Sequence, residues 1–201
     1  MTQTPYHHGD LRQALVTEAS RLLAEGGIDA LSLRRLAENV GVSRSAPYHH
    51  FKDKHELLCA IAEQGFTELD QLIVSARSDS SLPLHQRLSD FVHHYVHFAM
   101  HNPERYELMF GRPIWKKSAP TDSLKQVAYN TFRHYVETMS DWLAQSALSS
   151  GTDRRLRIAQ TSWATLHGLC RLMIDGIYLN PDDIHAVCDE AVTLMSTALH
   201  P

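Results

Sequence analysis

Apolar residues recur at spacings of three and four along most of this chain, which is the period of helices with one buried face. The pattern predicts helices over residues 10–25, 33–40, 44–50, 54–77, 84–100, 103–110, 121–147, 152–175 and from 181 to the end, with irregular chain at 111–120. No stretch alternates apolar and polar residues as a half-buried strand does. The predicted fold class is therefore all-α, with about nine helices.

The second and third of these helices form a tight pair around a glycine. Ser32 can cap the first member, and the apolar residues between 33 and 40 share one face. Gly41 supplies the left-handed residue that ends it. Ser43 can cap the second member, in which Pro47 lies close enough to the start to cost only one backbone bond. Two short helices around such a turn are typical of helix-turn-helix DNA-binding proteins.

The helix that follows this pair carries charge in its first turn. Asp53 and Glu56 have the spacing of a capping box, with Asp in place of the usual Ser or Thr. Lys54 lies beside free backbone N–H groups at the positive end of the helix dipole, where a phosphate can bind. We therefore expect the start of this helix to contact the DNA backbone.

The residues expected to contact DNA lie between positions 32 and 54. Arginine can bind guanine in the major groove, small residues allow close approach to base edges, and Tyr, His and Lys donate to phosphates. Because Arg44 and small residues open the second short helix, we expect that helix to read bases. The full set of expected contacts is Ser32, Arg34, Ser43, Arg44, Ser45, Ala46, Tyr48, His49, His50, Lys52 and Lys54.

These residues resemble the TetR family of bacterial transcriptional regulators. The resemblance covers roughly residues 9–62 and rests on Ser32, Leu36-Ala37, Gly41-Val42-Ser43 and Tyr48-His49-His50-Phe51-Lys52-Asp53-Lys54-His55-Glu56-Leu57. It implies an N-terminal three-helix helix-turn-helix DNA-binding domain over residues 1–53 and a larger C-terminal helical ligand-binding and dimerisation domain over residues 54–201. A weaker resemblance over residues 102–111 and 163–168 points to the subgroup named for a Trp-His-Gly motif.

The resemblance implies a homodimeric repressor that a small molecule releases from a palindromic operator in double-stranded DNA. The ligand must bind the conformation that does not bind DNA more tightly, because no population shift occurs otherwise. We expect its cavity to use aromatic, sulfur-bearing and histidine side chains of the middle helices, most of which would suit a packed core equally well. These are Tyr95, Tyr106, Met109, Phe110, Trp115, Tyr135, Met139, Trp163 and His167.

The last predicted helix has an apolar face wider than one packed seam requires. In the family that the chain resembles, the last two helices pair with their copies across a two-fold axis. The expected dimer contacts are Leu169, Met173, Val187, Ala191, Met195 and Ala198. The alternative is that this face is buried entirely within its own chain, since the width of a stripe does not separate core from interface.

The composition of the chain limits the kinds of binding partner and the cellular compartment that we expect. The net charge is −4, yet residues 1–60 contain seven cationic and seven acidic side chains, so the negative excess lies beyond them. We therefore expect a local basic patch, not a polybasic surface, to meet DNA. Three widely spaced cysteines favour a reducing cytoplasm. The sequence has no signal-peptide pattern and no apolar run of membrane-spanning length.

Two other functions remain open on the sequence alone. His93, His97 and His101 recur at every fourth position and could present imidazoles to a metal ion, as in a metal-sensing regulator. They lie opposite the apolar stripe of their helix, however, so a solvated polar face is the favoured interpretation. The other alternative is a helical carrier or enzyme, although no nucleophile motif, paired carboxylates or phosphate loop indicates catalysis. We expect no enzymatic activity, metal or cofactor.

Overall fold

The computed structural model describes residues 8–78, 81–116, 118–145, 151–177 and 180–199, and helices make up most of them. In chain order the helices are α1 (His8–Gly26), α2 (Leu33–Val40), α3 (Lys54–Ser78), α4 (Leu84–His101), α5 (Pro103–Phe110), α6 (Arg112–Trp115), α7 (Asp122–Gln145), α8 (Thr152–Ile174) and α9 (Ile184–Leu199). Three short 3-10 helices cover Ile28–Ala30, Ala46–His49 and Pro181–Asp183. The described ranges contain no strand, and the all-α prediction is confirmed.

Helix α2 begins and ends where its local sequence predicts. The Ser32 hydroxyl accepts a hydrogen bond from the Arg35 backbone N–H at 3.4 Å, which satisfies one of the free donors of the first turn. Gly41 ends the helix with φ of 76°, a left-handed conformation that favours glycine. The N–H of Val42 then reaches back to the Ala37 carbonyl at 2.9 Å. Both predicted caps of this helix are confirmed.

The stretch predicted to be irregular, residues 111–120, contains one more helix. Pro113 lies in the first turn of α6, where its fixed φ suits a helix and its missing N–H costs nothing. Trp115 ends this helix and donates its indole N–H to the Met109 carbonyl at 2.7 Å. The prediction of irregular chain was therefore wrong for these four residues, because a tertiary hydrogen bond supports a helix too short to give a periodic pattern.

The chain divides into two compact units. The first comprises residues 1–65 and 102–126, and its core includes the fully buried Leu15, Leu22 and Leu36. In it, α1 packs on α2 and on α5. Helix α3 contributes its first half to this unit and its second half to the other. The division of function at residue 53 stays a prediction.

The second unit comprises residues 66–101 and 127–201, and aromatic side chains fill its core. Helix α4 packs against α8 and α9. The Tyr135 ring lies 4.8 Å from Trp163 and 5.8 Å from Phe91, measured between ring centroids. The Tyr135 hydroxyl hydrogen-bonds the buried Ser162 hydroxyl at 2.7 Å, and complete burial raises the pKa of Tyr135. This tyrosine is therefore an uncharged core residue at physiological pH.

Glu18 joins α1 to α2 through its carboxylate. It accepts hydrogen bonds from Arg21 Nε at 2.9 Å and from Asn39 Nδ2 at 2.6 Å. The hydrogen bond from Arg21 is the largest cause that lowers the pKa of Glu18 from 4.5 to about 2, and Asn39 adds to it while partial burial opposes it.

This lowered pKa makes the stability of the first unit dependent on pH. The contribution of Glu18 is complete above pH 4.5 and is lost as the pH falls to about 2, because the unfolded chain takes up the proton first. We expect the free energy of unfolding of the unmodified protein to fall across this window more steeply than that of Glu18→Gln. Urea unfolding at stepped pH measures both, with Asp29→Asn, at an exposed carboxylate of the same unit, as the control. Parallel pH profiles for the unmodified protein and Glu18→Gln would contradict the assignment.

No helix in the described ranges is long and apolar enough to cross a membrane.

Candidate functional site

The second element of the helix-turn-helix pair is a 3-10 helix, not the α-helix predicted from Ser43 to His50. Pro47 has no N–H with which to bind the Ser43 carbonyl in the α-helical pattern. The Ala46 N–H binds that carbonyl instead, at 3.0 Å, and the Tyr48 N–H binds the Ser45 carbonyl at 3.1 Å. Bonds to the third residue back define the tighter 3-10 helix. The prediction of an α-helix here was therefore wrong. The element that we expect to read bases is a single 3-10 turn, Ala46–His49.

Buried residues hold this turn in place while its polar residues face outward. Pro47 is buried, and Phe51, which follows the turn, is only 2% exposed. The Arg12 guanidinium lies 5.4 Å from the centroid of the Phe51 ring, a cation–π distance. Tyr48, between these two anchors, is 53% exposed although it is large and aromatic. An exposed tyrosine between buried anchors is well placed to meet a partner.

The start of α3 forms the reciprocal cap that its sequence predicts, with one change. The Asp53 carboxylate accepts from the Glu56 N–H at 2.9 Å. The Glu56 carboxylate reaches back to the N–H of Lys52 at 2.7 Å, one residue earlier than in the usual capping box. Both carboxylates are therefore occupied by backbone donors, and the half-buried Lys54 opens the helix beside them.

Positive charge predominates on this part of the first unit. Residues 32–56 contain five Lys or Arg side chains and three carboxylates, two of which are those capping groups. The third, Glu38, lies 3.5 Å from the Arg44 guanidinium, and both side chains are more than half exposed. Ser43 and Ser45 flank this arginine, with their hydroxyls 3.2 Å apart. Arg44 is thus held by a weak surface ion pair that an anionic partner could replace.

The structure leaves nearly all the expected DNA contacts accessible. Those exposed are Ser32, Arg34, Ser43, Arg44, Ser45, Tyr48, His49 and Lys52, and those half-buried are Ala46, His50 and Lys54. Ser32 also caps α2, but its hydroxyl proton remains available for a phosphate. The sequence-based set omits Arg35, which is exposed on α2. Its place on the polar face opposite Leu33 and Leu36 was the signal that could have found it.

The residues expected to line a ligand cavity fall in both units. Tyr106, Met109, Phe110 and Trp115 belong to the first, and Tyr95, Tyr135, Met139, Trp163 and His167 belong to the second. The structure brings Tyr106 and Phe110 together at 4.8 Å between centroids, and Tyr95, Tyr135 and Trp163 into the aromatic core. His167 is half-buried on α8.

A cavity of about 330 Å³ lies between α7, α8 and α9. Of the expected ligand residues, only Met139 is among those that line it, beside Ile158, Thr161 and Leu194. Two exposed arginines, Arg154 and Arg157, stand at this cavity, and no acidic residue is among its lining residues.

The expected dimer contacts are unevenly accessible. Leu169, Met173 and Val187 are half-buried, whereas Ala191 and Met195 are only 3% and 6% exposed because their own unit covers them. The side chain of Ala198 lies outside the described residues. Leu194, by contrast, is 60% exposed on α9, and Ala164 and Thr165 are exposed on α8. The outward face of α9 therefore passes through Leu194.

The histidines of α4 pair with one another and with α9. His93 Nε2 lies 2.9 Å from an Asp189 carboxylate oxygen, and the His97 and His101 rings stack at 3.7 Å between centroids. His93, His97 and His101 border a cavity of about 500 Å³ that Cys188 and His185 also line. Burial raises the pKa of the Cys188 thiol to about 11. Among the described residues, no three His, Cys, Asp or Glu side chains are grouped as a metal ion requires.

The capped α2, the glycine turn and the exposed turn after it define a helix-turn-helix protein of the DNA-binding regulator class. Comparison with known families agrees with this geometry over most of the chain. Residues 15–61 match the model of bacterial regulatory proteins of the tetR family, and residues 88–195 match the tetracyclin repressor-like C-terminal domain. The chain belongs to the TetR family of transcriptional regulators. Its place in the Trp-His-Gly subgroup stays a prediction.

Relatives of this chain include regulators and one solved structure of similar length. The transcriptional repressor AcnR of Corynebacterium glutamicum is 26% identical over 165 residues, which is 82% of this chain and 78% of AcnR. The class C tetracycline repressor protein of Escherichia coli is 46% identical over 56 residues, covering 28% of this chain and 26% of that protein. A protein of unknown function from Rhodococcus sp. RHA1 has a structure that is 31% identical, with a TM-score of 0.77 over 98% of this chain and 97% of that one.

Glu38 is expected to weaken DNA binding by competing for Arg44 and by repelling phosphates. Glu38→Gln should therefore raise affinity for DNA by about 2- to 30-fold, the range for loss of one exposed competing ion pair in each subunit of a dimer. Fluorescence anisotropy with a labelled operator measures the change. Asp29→Asn, which removes an exposed carboxylate elsewhere in the first unit, is the matched control. Equal gains from the two variants would mean that net charge alone, and not the pairing with Arg44, sets the affinity.

Proposed function

We propose that this protein is a homodimeric repressor that binds a palindromic operator and is released from it by a small molecule. One observation carries this proposal: Arg44, Ser45, Tyr48 and His49 are exposed on and beside a turn that the buried Pro47 and Phe51 anchor. Side chains with donors, held on a rigid frame, are what direct readout of base edges requires. The relatives AcnR and the tetracycline repressor are named as repressors, which favours repression over activation.

In the proposed complex, different residues of this site contact the bases and the phosphates of DNA. Arg44 and Ser45 would meet base edges in the major groove, and Tyr48, His49 and Lys54 would donate to phosphates on either side. Lys54 lies at the N-terminus of α3, so its charge adds to the dipole of that helix. The protein would act in the cytoplasm as a binding protein, without an enzymatic reaction.

Selection from a random pool of duplex DNA tests this proposal directly. The purified full-length protein should enrich an inverted repeat, and anisotropy on the winning sequence should show affinity falling steeply with salt. Mass spectrometry under native conditions tells whether the protein carries a bound small molecule that holds it off DNA. Failure to enrich any sequence, by protein that carries no small molecule, would contradict the proposal.

The proposed dimer uses the outward faces of α8 and α9. Leu194 is the most exposed large apolar side chain of those helices in the described part of the chain, and Ala164 and Thr165 on α8 are small enough for close helix contact. Of the residues expected from sequence, Leu169, Met173 and Val187 retain exposed surface for such a contact.

Leu194→Glu should weaken the dimer by at least about tenfold, because a charged side chain would replace apolar surface that each subunit buries in the proposed interface. Sedimentation velocity across a dilution series measures the dissociation constant. Val74→Glu is the control, since Val74 is an exposed apolar residue on α3. An unchanged dissociation constant for Leu194→Glu would place the dimer contact elsewhere.

A further inference from the structure

A buried arginine without a carboxylate partner lies near the start of α4. Arg87 is only 6% exposed, in a class of residue that is mostly found at the surface. Its Nη2 donates to the Gln145 side-chain oxygen at 2.6 Å, and its Nε–H has no acceptor. Within the described ranges no acidic side chain lies within ion-pair distance of this guanidinium. The side-chain hydrogen bond that the described residues give this guanidinium is therefore to a neutral amide.

Such an arrangement is costly unless something compensates the charge. Burial of a guanidinium removes a cationic group with five N–H donors from water. A buried charge requires an opposite charge and hydrogen bonds to offset the loss of water. A carboxylate supplies both, because its two oxygens match the parallel N–H bonds of Nε and Nη in one plane.

A cavity of about 230 Å³ opens beside this arginine, within the second unit. Its walls combine apolar surface with a few polar groups, and the residues that matter here are Leu72, Ser75, Ala76, Arg87, Asp90 and Phe91. The Asp90 carboxylate, at the wall of this cavity, accepts a hydrogen bond from Gln86 at 2.8 Å. The volume lies below the range of cavities for drug-sized ligands, so the occupant is small.

We propose that this cavity binds a small organic monocarboxylate, whose carboxylate pairs with the guanidinium of Arg87. The apolar part of the ligand would lie against Leu72 and Phe91. Asp90 selects against a second negative charge on the ligand, and this excludes dicarboxylates. That the carboxylate is the effector of this regulator rests on the proposed function. That the carboxylate binds in this cavity does not rest on it.

Titration of the full-length protein with simple carboxylates tests the site. The probes are the sodium salts of acetate, butyrate, hexanoate and benzoate, each compared with its uncharged amide. Nitrogen NMR should show the Arg87 Nε–H resonance moving with the carboxylates and not with the amides, and calorimetry gives the affinities. No movement of this resonance with any carboxylate of the series would overturn the proposal.

Two variants separate binding from folding. Arg87→Lys keeps the charge but removes the bidentate hydrogen-bond donor of the guanidinium. It should weaken carboxylate binding by about tenfold or more. Ala76→Leu leaves Arg87 in place and fills the cavity at little cost to α3, since both residues favour helices. It should abolish binding while the melting temperature stays close to that of the unmodified protein.

Arg154→Lys alters the arginine of the 330 Å³ cavity and should leave binding unchanged. Loss of binding in Arg154→Lys alone would move the site there and overturn the assignment to Arg87.

The operator from the selection experiment distinguishes failure of the site from failure of the proposed function. Carboxylate binding that depends on Arg87 and lowers operator affinity supports both. Carboxylate binding that depends on Arg87 but leaves the operator bound keeps the site and overturns its role as the effector site. If the protein binds no operator at all, the proposed function fails, and the NMR titration still decides whether the carboxylate site exists.

Discussion

Arg44→Ala should weaken operator binding by roughly 30-fold to more than 10,000-fold. One arginine–guanine contact contributes about 1–3 kcal/mol of discrimination, and a symmetric dimer loses two of them, about 2–6 kcal/mol in total. Arg44 is free to make this contact because its only partner in the described residues is the exposed Glu38. The loss should be confined to the selected operator, with nonspecific duplex bound almost as before.

Lys54→Ala should give a different signature at the same interface. A phosphate contact carries no sequence information, so affinity should fall for every duplex by a similar factor. The slope of affinity against salt should fall by about two, one phosphate for each subunit. Anisotropy with operator and scrambled duplexes over a salt series measures both variants, with Arg133→Ala on the exposed surface of α7 as control. A uniform loss in Arg44→Ala, or an operator-specific loss in Lys54→Ala, would reverse the two assignments.

Trp142→Ala should lower the free energy of unfolding by about 3–5 kcal/mol, while Trp142→Phe should cost much less. Trp142 is fully buried and meets the Phe91 ring edge-on at 6.1 Å between centroids, so truncation to alanine leaves a large cavity. Its indole N–H has no acceptor among the described residues. Phenylalanine removes that unsatisfied donor, which itself costs about 1–3 kcal/mol, and keeps most of the packing.

Urea unfolding of both variants at one fixed protein concentration measures this difference, since the proposed dimerisation would make stability depend on concentration. Phe132→Leu, a milder change at a half-buried ring of α7, is the control for general loss of aromatic packing. If Trp142→Phe loses as much stability as Trp142→Ala, the indole N–H must have an acceptor, and the argument from an unsatisfied donor is wrong.

Local interactions made part of this structure predictable from the sequence. The limits of α2 follow from Ser32 and Gly41, because a cap depends on residues within one turn of it. The cap formed by Asp53 and Glu56 was predictable from the sequence for the same reason. The exception is that Glu56 binds the N–H of Lys52, one residue earlier than expected. The spacing of apolar residues likewise gave the long helices, in which many repeats add to one signal.

Features that depend on tertiary contacts escaped the same reasoning. Ala191 and Met195 belong to a wide apolar stripe, but only the packing of α9 on its neighbours tells that they are covered within their own chain. Arg87 follows Leu84 by three residues and precedes Phe91 by four, which places it on the apolar side of α4. That position was a signal for its burial, whereas the cavity beside it depends on side chains of two helices.

In and beside the four-residue turn Ala46–His49, the residues that stabilise the fold differ from those that would contact DNA. Pro47 and Phe51 are buried and pack in the core, while the side chains of Ser45 and His49 are exposed. Among the described residues, the side-chain hydrogen bond given for this pair is that of Ser45 with Ser43. Changes at these outward positions can therefore accumulate without loss of folded protein. A gene duplicate of this regulator could acquire a new operator by one or two such replacements, and a designed variant could be directed to a chosen promoter in the same way.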